Sequence, residues 1–479
     1  MSNLLGVDIG TTSLKACVFN DRGEELCSTT KSYTLITSGE FVEFPAEDYF
    51  KLFLEAFNEL SSKVKIDALA VDTQGETMIL LDENGLPLCN AVVWLDNRAT
   101  IEAEEMQKAF TLKTIYEVTG QTEVPAGFPA PKIMWFKKNK PEIFAKTKKI
   151  LLLEDYILYR LTGEYHSERS LYSSSLYLDV RTGEYYKDML DYLGITENML
   201  PTLHESGEKV GEYLGVSVST GALDQIAGFV GSGSAKKGVV CETTGTCLAV
   251  CAYSDKIPPY YDGIKVPAHY VKKGVYCLLM FAPTAGMVME WYKKTFANEL
   301  SLKEIDELAK EIPFGSEGLV VAPNMRGSVM PENDGTLKGG VYGIDLKHTR
   351  AHFARAVMEA VACLLRQYLE CIDVDANQII CLGGGAKSQL WMQIKADIIG
   401  KNTVALKNKE TGCLGSAVFA GVGAKIYDSV DDAISKTVEI AREITPSQSR
   451  ENGNLLYNKF LSYAKMLSNR EEVLNDFKV

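Results

Sequence analysis

Short apolar runs broken by turn residues dominate the first 35 positions, and longer stretches at helical spacing follow. Residues 4–35 therefore predict a β-meander. PAEDYFKLFLEAFNELSSKV (45–64) places apolar residues at helical spacing behind a proline and two acids, which predicts a helix. Residues 66–85 read as strand, loop, strand and turn, and 91–99 as a strand with a charged end that leads into a helix. Residues 127–165 read as helix, strand, helix and glycine turn. A second block opens near Gly221. GVVCETTGTCLAVCAYS (238–254) is again strand, turn, strand; a long helix over 349–371, a strand at 378–388 and a helix from Gln389 to Ile399 come next. The residues after 450 are helical and amphipathic.

Both blocks open on a hairpin with Gly and Thr at its tip: Gly10-Thr11-Thr12 in one, Thr243-Thr244-Gly245-Thr246 in the other. Two α/β domains facing each other across a cleft follow from that repetition, and domain interfaces are where ligands commonly sit. A chain of 479 residues is also too long for one core. The formal net charge of −13, with basic residues spread along the chain, argues against nucleic acid. No apolar run approaches the about 20 residues of a membrane span. The N-terminus runs directly into a strand, so a signal peptide is not expected, and a cytoplasmic protein is. Eleven cysteines without a C-x-x-C pair, several in apolar runs, read as reduced thiols; five scattered histidines make a His/Cys metal site a poor expectation.

Six short segments could carry chemistry. Asp8-Ile9-Gly10-Thr11-Thr12 joins a carboxylate to a tight turn whose N–H groups can face an anion, and an aspartate so placed suits Mg²⁺. An ordinary hairpin tip explains the same residues equally well. Gly245-Thr246 is a weaker candidate of the same kind. Leu382-Gly383-Gly384-Gly385-Ala386-Lys387-Ser388 follows a strand and precedes a helix, leaving open backbone for a flat ring or a ribose. Asp224, before IAGFVGSG, reads by itself as a helix N-cap. Gln74-Gly75-Glu76-Thr77 and Trp94-Leu95-Asp96-Asn97-Arg98 offer hydrogen-bonding groups suited to sugar hydroxyls, and each could equally be a solvated loop.

Two longer segments decide among these readings. GFPAPKIMWFKKN (Gly127–Asn139) and GGVYGIDLKHTRAHFARAVME (Gly339–Glu359) fit, at every specified position and in the right order, the two signatures of the FGGY carbohydrate kinases. The chain resembles that family over essentially its whole length, and is closest in pattern to its xylulokinase-like members. The resemblance implies two ribonuclease-H-like domains of the actin/Hsp70/sugar kinase superfamily, divided as 1–222 and 223–479, closing on ATP and a sugar. It implies that Asp8 serves Mg²⁺, and that Gly10, Thr11, Thr12 and Lys15 lie beside the phosphates. Gly245 and Thr246 become the second phosphate turn, and Gly384, Gly385, Ala386 and Ser388 border the adenosine. Asp224 becomes the general base. Gln74, Gly75, Glu76, Trp94, Asp96, Arg98 and Gln225, with Asp224, meet the sugar. The expected reaction is ATP-dependent phosphorylation of a terminal hydroxyl of a ketose, foremost a ketopentose such as xylulose. Alternatives are a glycerol- or tetritol-type polyol kinase and a non-catalytic sugar sensor. The oligomeric state stays open between monomer and homodimer.

The chain departs from its relatives at three points. Gly75-Glu76 stands where xylulokinases typically carry Met-His, and an acid there disfavours a carboxylate substrate such as gluconate. The segment before Asp224 is shortened by about one helix, so a trimmed domain edge with the site retained is expected. Arg326-Gly327-Ser328 replaces a common Gly-Glu-Arg.

Overall fold

The computed structural model describes residues 2–261, 266–329 and 334–468. The last of the residues read as a C-terminal amphipathic helix, 469–479, lie outside these; Arg450–Ser468 is helical.

Two seven-stranded mixed sheets carry the molecule. In the first, Asn3–Ile9 pairs antiparallel with Ser13–Asn20, which pairs antiparallel with Glu25–Ser32. On its other side Asn3–Ile9 pairs parallel with Ala68–Thr73, then come Val216–Ser219 (parallel) and Lys209–Tyr213 (antiparallel). The second sheet repeats this order. Val239–Thr244 and Leu248–Ser254 form the hairpin, Val275–Ala282 continues it, and Gln378–Gly383, Asn402–Leu406 and Ile440–Ile444 lie on the far side with the same orientations. The repetition suggested by two Gly/Thr turns is thus a repetition of topology. It gives each half a Gly/Thr turn at the C-terminal end of its first strand.

Strand residues alternate between two helical layers, as the pleat requires. Leu5, Val7, Leu69 and Val71 share a cluster with Tyr49, Phe53 and Phe57 of the helix Ala46–Ser61. Leu4, Ala68 and Ala70 share the other with Leu414, Ala417 and Val418 of the helix Thr411–Gly423. That helix comes from the far end of the chain, yet it lies against the first sheet. It also crosses the helix Asp224–Gly231 at the floor of the cleft, and glycines permit the crossing. A Cβ on Gly415 would collide with Ala227 O, one on Gly231 with Thr411 O, and one on Gly6 with Cys413 O.

A smaller five-stranded sheet, including Met78–Leu81, Ala91–Val92 and Lys149–Leu152, adds a wall to the first half. The shortened segment becomes the edge hairpin Lys209–Tyr213/Val216–Ser219, turned by Leu214 and Gly215, both with positive φ. The two-residue strand Ala222–Leu223 beside Asp72 and Thr73 still delivers Asp224 to the cleft. All eleven cysteines are free. Among the described residues no helix is long and apolar enough to cross a membrane.

Candidate active site

The first hairpin ends in Gly10, Thr11 and Thr12, with Asp8 one residue inside the strand. Gly10 N donates to Ser13 O at 3.0 Å, closing the turn. The Tyr33 hydroxyl donates to Gly10 O, and Trp94 Nε1 donates to Thr11 Oγ1 at 3.0 Å. Trp94 therefore supports the turn. Asp8 faces Lys15 across the hairpin, but the Lys15 ammonium is held by Glu410 at 2.6 Å. Burial pushes the Asp8 carboxyl up to about 6, and the Glu410 charge adds to it; the hydrogen-bonding contact with the Asp72 carboxyl, and then the charge of Lys15, offset this only in part.

The second turn is built more rigidly. Lys395 Nζ donates to Glu242 Oε1 at 2.5 Å and to Thr244 Oγ1 at 2.8 Å, and Thr244 Oγ1 donates to Glu242 Oε2 at 2.6 Å. Neither charged side chain is exposed. Gly286 N and Met287 N hold the carbonyls of Gly245 and Thr246 at 2.8 and 3.2 Å. Gly245 and Thr246 are left facing the cleft, with nothing within 4 Å of where a Gly245 Cβ would stand.

The three glycines after Gln378–Gly383 have separate uses. Gly383 has φ +73°, a left-handed conformation. Gly385 packs so closely that a Cβ would lie 2.8 Å from Thr244 Cβ. Gly384 lines the pocket. Ser388 caps the helix Gln389–Ile399, its Oγ accepting from Trp391 N at 3.0 Å. Gly384, Gly385 and Ser388 border a cavity of about 660 Å³ that also holds Gly245 and Thr246, with Met287, Met358 and Trp391 as apolar wall. Ala386 lies on the other side of the loop, where its carbonyl accepts from Arg442 Nη2 at 3.3 Å.

Asp224 is the first residue of the helix Asp224–Gly231, and Leu223 occupies the cap position. The N-cap reading is thereby corrected. The carboxylate is not engaged two or three residues on, and its Oδ1 accepts from Gln225 N at 2.6 Å. Burial raises its pKa to about 8, reinforced by the charges of Asp8 and Glu76. The approach to Asp224 is pinned from below. Gly221 N donates to Glu154 at 2.8 Å, and Leu223 N donates to Ser170 Oγ at 3.1 Å. Ser170 Oγ in turn donates to Glu168 at 2.9 Å.

Gln74 N donates to Ile9 O at 2.9 Å, which places 74–76 against the first hairpin. A Cβ on Gly75 would lie 2.7 Å from Leu223 Cδ1, so Gly75 lets the strand before Asp224 approach. Glu76 has φ +62°, a strained conformation for a residue with a side chain. Lys132, fully buried, holds it there. Its Nζ donates to the carbonyls of Glu76, Val92 and Val93 at 3.0, 3.3 and 2.9 Å. Burial lowers the Lys132 pKa to about 7, against the charges of Asp96 and Glu76. Lys132→Met leaves three carbonyls without a donor. It is expected to cost about 2–3 kcal/mol of stability and to raise the sugar KM more than the ATP KM; equal effects on both would place Lys132 outside the sugar wall.

Asp96 and Arg98 need a correction as sugar contacts. Asp96 is wholly enclosed and accepts from Val42 N at 2.7 Å and from Arg98 N, Nε and Nη2. Arg98 also pairs with Glu43 at 2.5 Å and lies over the Phe41 and Trp135 rings. The two brace the wall that carries Trp94. Sequence reasoning missed Lys132, Glu242, Lys395 and the fully buried Asp72 beside Asp8. Lys132 lies inside the first signature, which was its available signal; the Glu242–Lys395 pair spans 153 positions and left none.

The description "FGGY family of carbohydrate kinases, N-terminal domain" matches residues 3–241, and the corresponding C-terminal domain matches 239–424. The chain belongs to the FGGY family of carbohydrate kinases. Among FGGY relatives, the xylulose kinase of Bacillus subtilis (strain 168) is 29% identical over 93% of this chain and 93% of its own. That of Lactococcus lactis subsp. lactis (strain IL1403) is 28% identical over 91% and 90%. The ligand-bound xylulose kinase from Lactobacillus acidophilus superposes with a TM-score of 0.91 at 21% identity, covering all of both chains. As a carbohydrate kinase of this fold, the chain has the two-domain α/β architecture that its repeated sheets display.

Proposed function

We propose that this FGGY kinase transfers the γ-phosphoryl group of ATP to a terminal hydroxyl of a ketopentose. The observation that carries the reading is Asp224, a half-buried carboxyl at a helix start, close enough to both Asp8 and Glu76 to feel their charges. A base between the phosphate turn and the sugar wall is what transfer to a hydroxyl requires.

In this reading the cavity of about 660 Å³ takes the adenosine, and Gly10–Thr12 and Gly245–Thr246 approach the phosphates from opposite sides. Asp224 orients the attacking hydroxyl and accepts its proton. Gln74 and Glu76 accept or donate at the other hydroxyls. Gly412, with no side chain, leaves the Asp8 carboxylate uncovered where a Cβ would press on it at 3.1 Å, and an oxygen donor there suits a divalent cation. Mg²⁺ bound there supplies neutralising charge on the transferring group. Closing of the two halves over the floor helices excludes water.

The relatives reported above are xylulose kinases, which favours xylulose, and so does the pattern of the first signature. Glu76 favours a second reading, a polyol kinase. A carboxylate whose backbone is held in place by Lys132, and whose side chain meets Ser174, accepts from paired hydroxyls without needing a carbonyl. It also repels an anionic substrate. A coupled ADP-release assay over ketopentoses, polyols and gluconate tests both. Turnover fastest on a ketopentose supports the first reading and turnover fastest on a tetritol or glycerol the second. Preference for gluconate, or no sugar-stimulated ADP release at all, overturns both. With the best substrate, Glu76→Ala is expected to raise the sugar KM by about tenfold and leave the ATP KM unchanged.

A further inference from the structure

Asp8 and Asp72 are directly opposite each other on the parallel strands Asn3–Ile9 and Ala68–Thr73. Their carboxylates lean toward one spot. A Cβ on Gly412 would lie 3.1 Å from Asp8 Oδ2 and 3.7 Å from Asp72 Oδ1. Asp72 is completely buried. Its Oδ2 accepts from Ser416 Oγ at 2.6 Å, and its Oδ1 receives no amide or hydroxyl donor; the polar group it meets is the Asp8 carboxyl. An enclosed carboxylate oxygen without a donor is costly, and more so beside a second carboxylate. The nearby ammonium, Lys15, is committed to Glu410.

We propose that Asp72 is a second metal-facing carboxylate, so that Asp8 and Asp72 together hold the divalent cation, with Ser416 fixing the orientation of Asp72. The inference rests on the reading of Asp8 as the metal anchor. A hard cation with oxygen ligands suits the donors. Mg²⁺ is commonly held by one or two carboxylates and completes its shell with water and phosphate oxygens, so two aspartates are enough protein ligands for it. The rival occupant of the gap is a proton shared between the two carboxyls, which would satisfy the same oxygen without a metal.

Mn²⁺ titration of the nucleotide-free full chain, followed by the loss of the free-ion electron paramagnetic resonance signal, separates the two. Asp72→Asn and Asp8→Asn are each expected to weaken Mn²⁺ binding by about tenfold or more. Added Mg²⁺ should release Mn²⁺ from the unaltered protein. Asp72→Asn should melt no lower than the parent in metal-free buffer, since the exchange removes a buried charge and keeps the shape. If Asp8→Asn loses Mn²⁺ while Asp72→Asn binds it as the parent does, the inference is overturned and the proton is the occupant. If both variants bind like the parent, the cation does not sit at Asp8 and the metal reading of the site fails with it. Should Asp72→Asn not fold, Ser416→Ala serves instead. Freeing Asp72 is expected to weaken Mn²⁺ several-fold, and unchanged binding would overturn the proposal.

Discussion

Asp224→Asn is expected to lower kcat by roughly 10³-fold on the true substrate while raising thermal stability at pH 8. The two effects share one cause. Burial, and then the charges of Asp8 and Glu76, lift the Asp224 carboxyl from its ordinary value of 3.8 to about 8. Between those values the folded protein keeps a proton that the unfolded chain releases. Stability therefore falls as pH rises through that window. Asparagine removes the titration. The variant should melt above the parent at pH 8, and the gap should narrow toward pH 5, in buffer free of metal and nucleotide. Turnover within about threefold of the parent would remove Asp224 as the base. A melting difference independent of pH would show that its charge is not under strain.

The second large effect lies behind the opposite phosphate turn. Lys395→Met leaves the Glu242 carboxylate buried without its counter-charge, and Thr244 loses one of its two side-chain partners. Breaking a buried pair from one side costs about 3–5 kcal/mol, which a guanidinium unfolding series would register. Replacing both partners, as Glu242→Gln with Lys395→Met, should recover most of that stability, because no isolated charge remains. It should not recover the ATP KM, since Thr244 then lacks the ammonium that sets its rotamer. A double variant as unstable as the single one would mean that shape, not charge, holds the turn.

The contrast between these two residues shows what was legible in the sequence. The hairpin tips were readable because strand, Gly/Thr turn and strand follow one another locally, and the same local signals set the helices at 45–64 and 389–399. Asp224 could be proposed as a base only through the two signatures. By itself it looked like a cap, and the helix begins one residue earlier than that reading needs. Asp96 and Arg98 looked like exposed sugar ligands because a charged strand end resembles a solvated loop. Arg98 instead folds back onto Asp96, two residues away, and aromatic rings close over it. Asp72 was hidden for the opposite reason. It sits in the apolar run ALAVDT, where a lone acid reads as part of a strand, and only the parallel register with Asp8 gives it a neighbour. Glu242 and Lys395 meet through tertiary packing alone, which no local pattern encodes.

The helix Thr411–Gly423 has a consequence for how the protein is made. It covers one apolar face of the first sheet, over Leu4, Ala68 and Ala70, although it lies about 200 positions beyond the last strand of that sheet. A ribosome adding roughly 5–20 residues per second needs roughly 10–40 s to cover that distance. For all that time the nascent first half has its strands and its outer helix Ala46–Ser61, but lacks the layer that seals its inner face. An N-terminal fragment ending near residue 222 should accordingly be sticky rather than a working domain. Supplying the second half separately should rescue its solubility. The first half of the molecule is finished only when almost all of the chain has emerged.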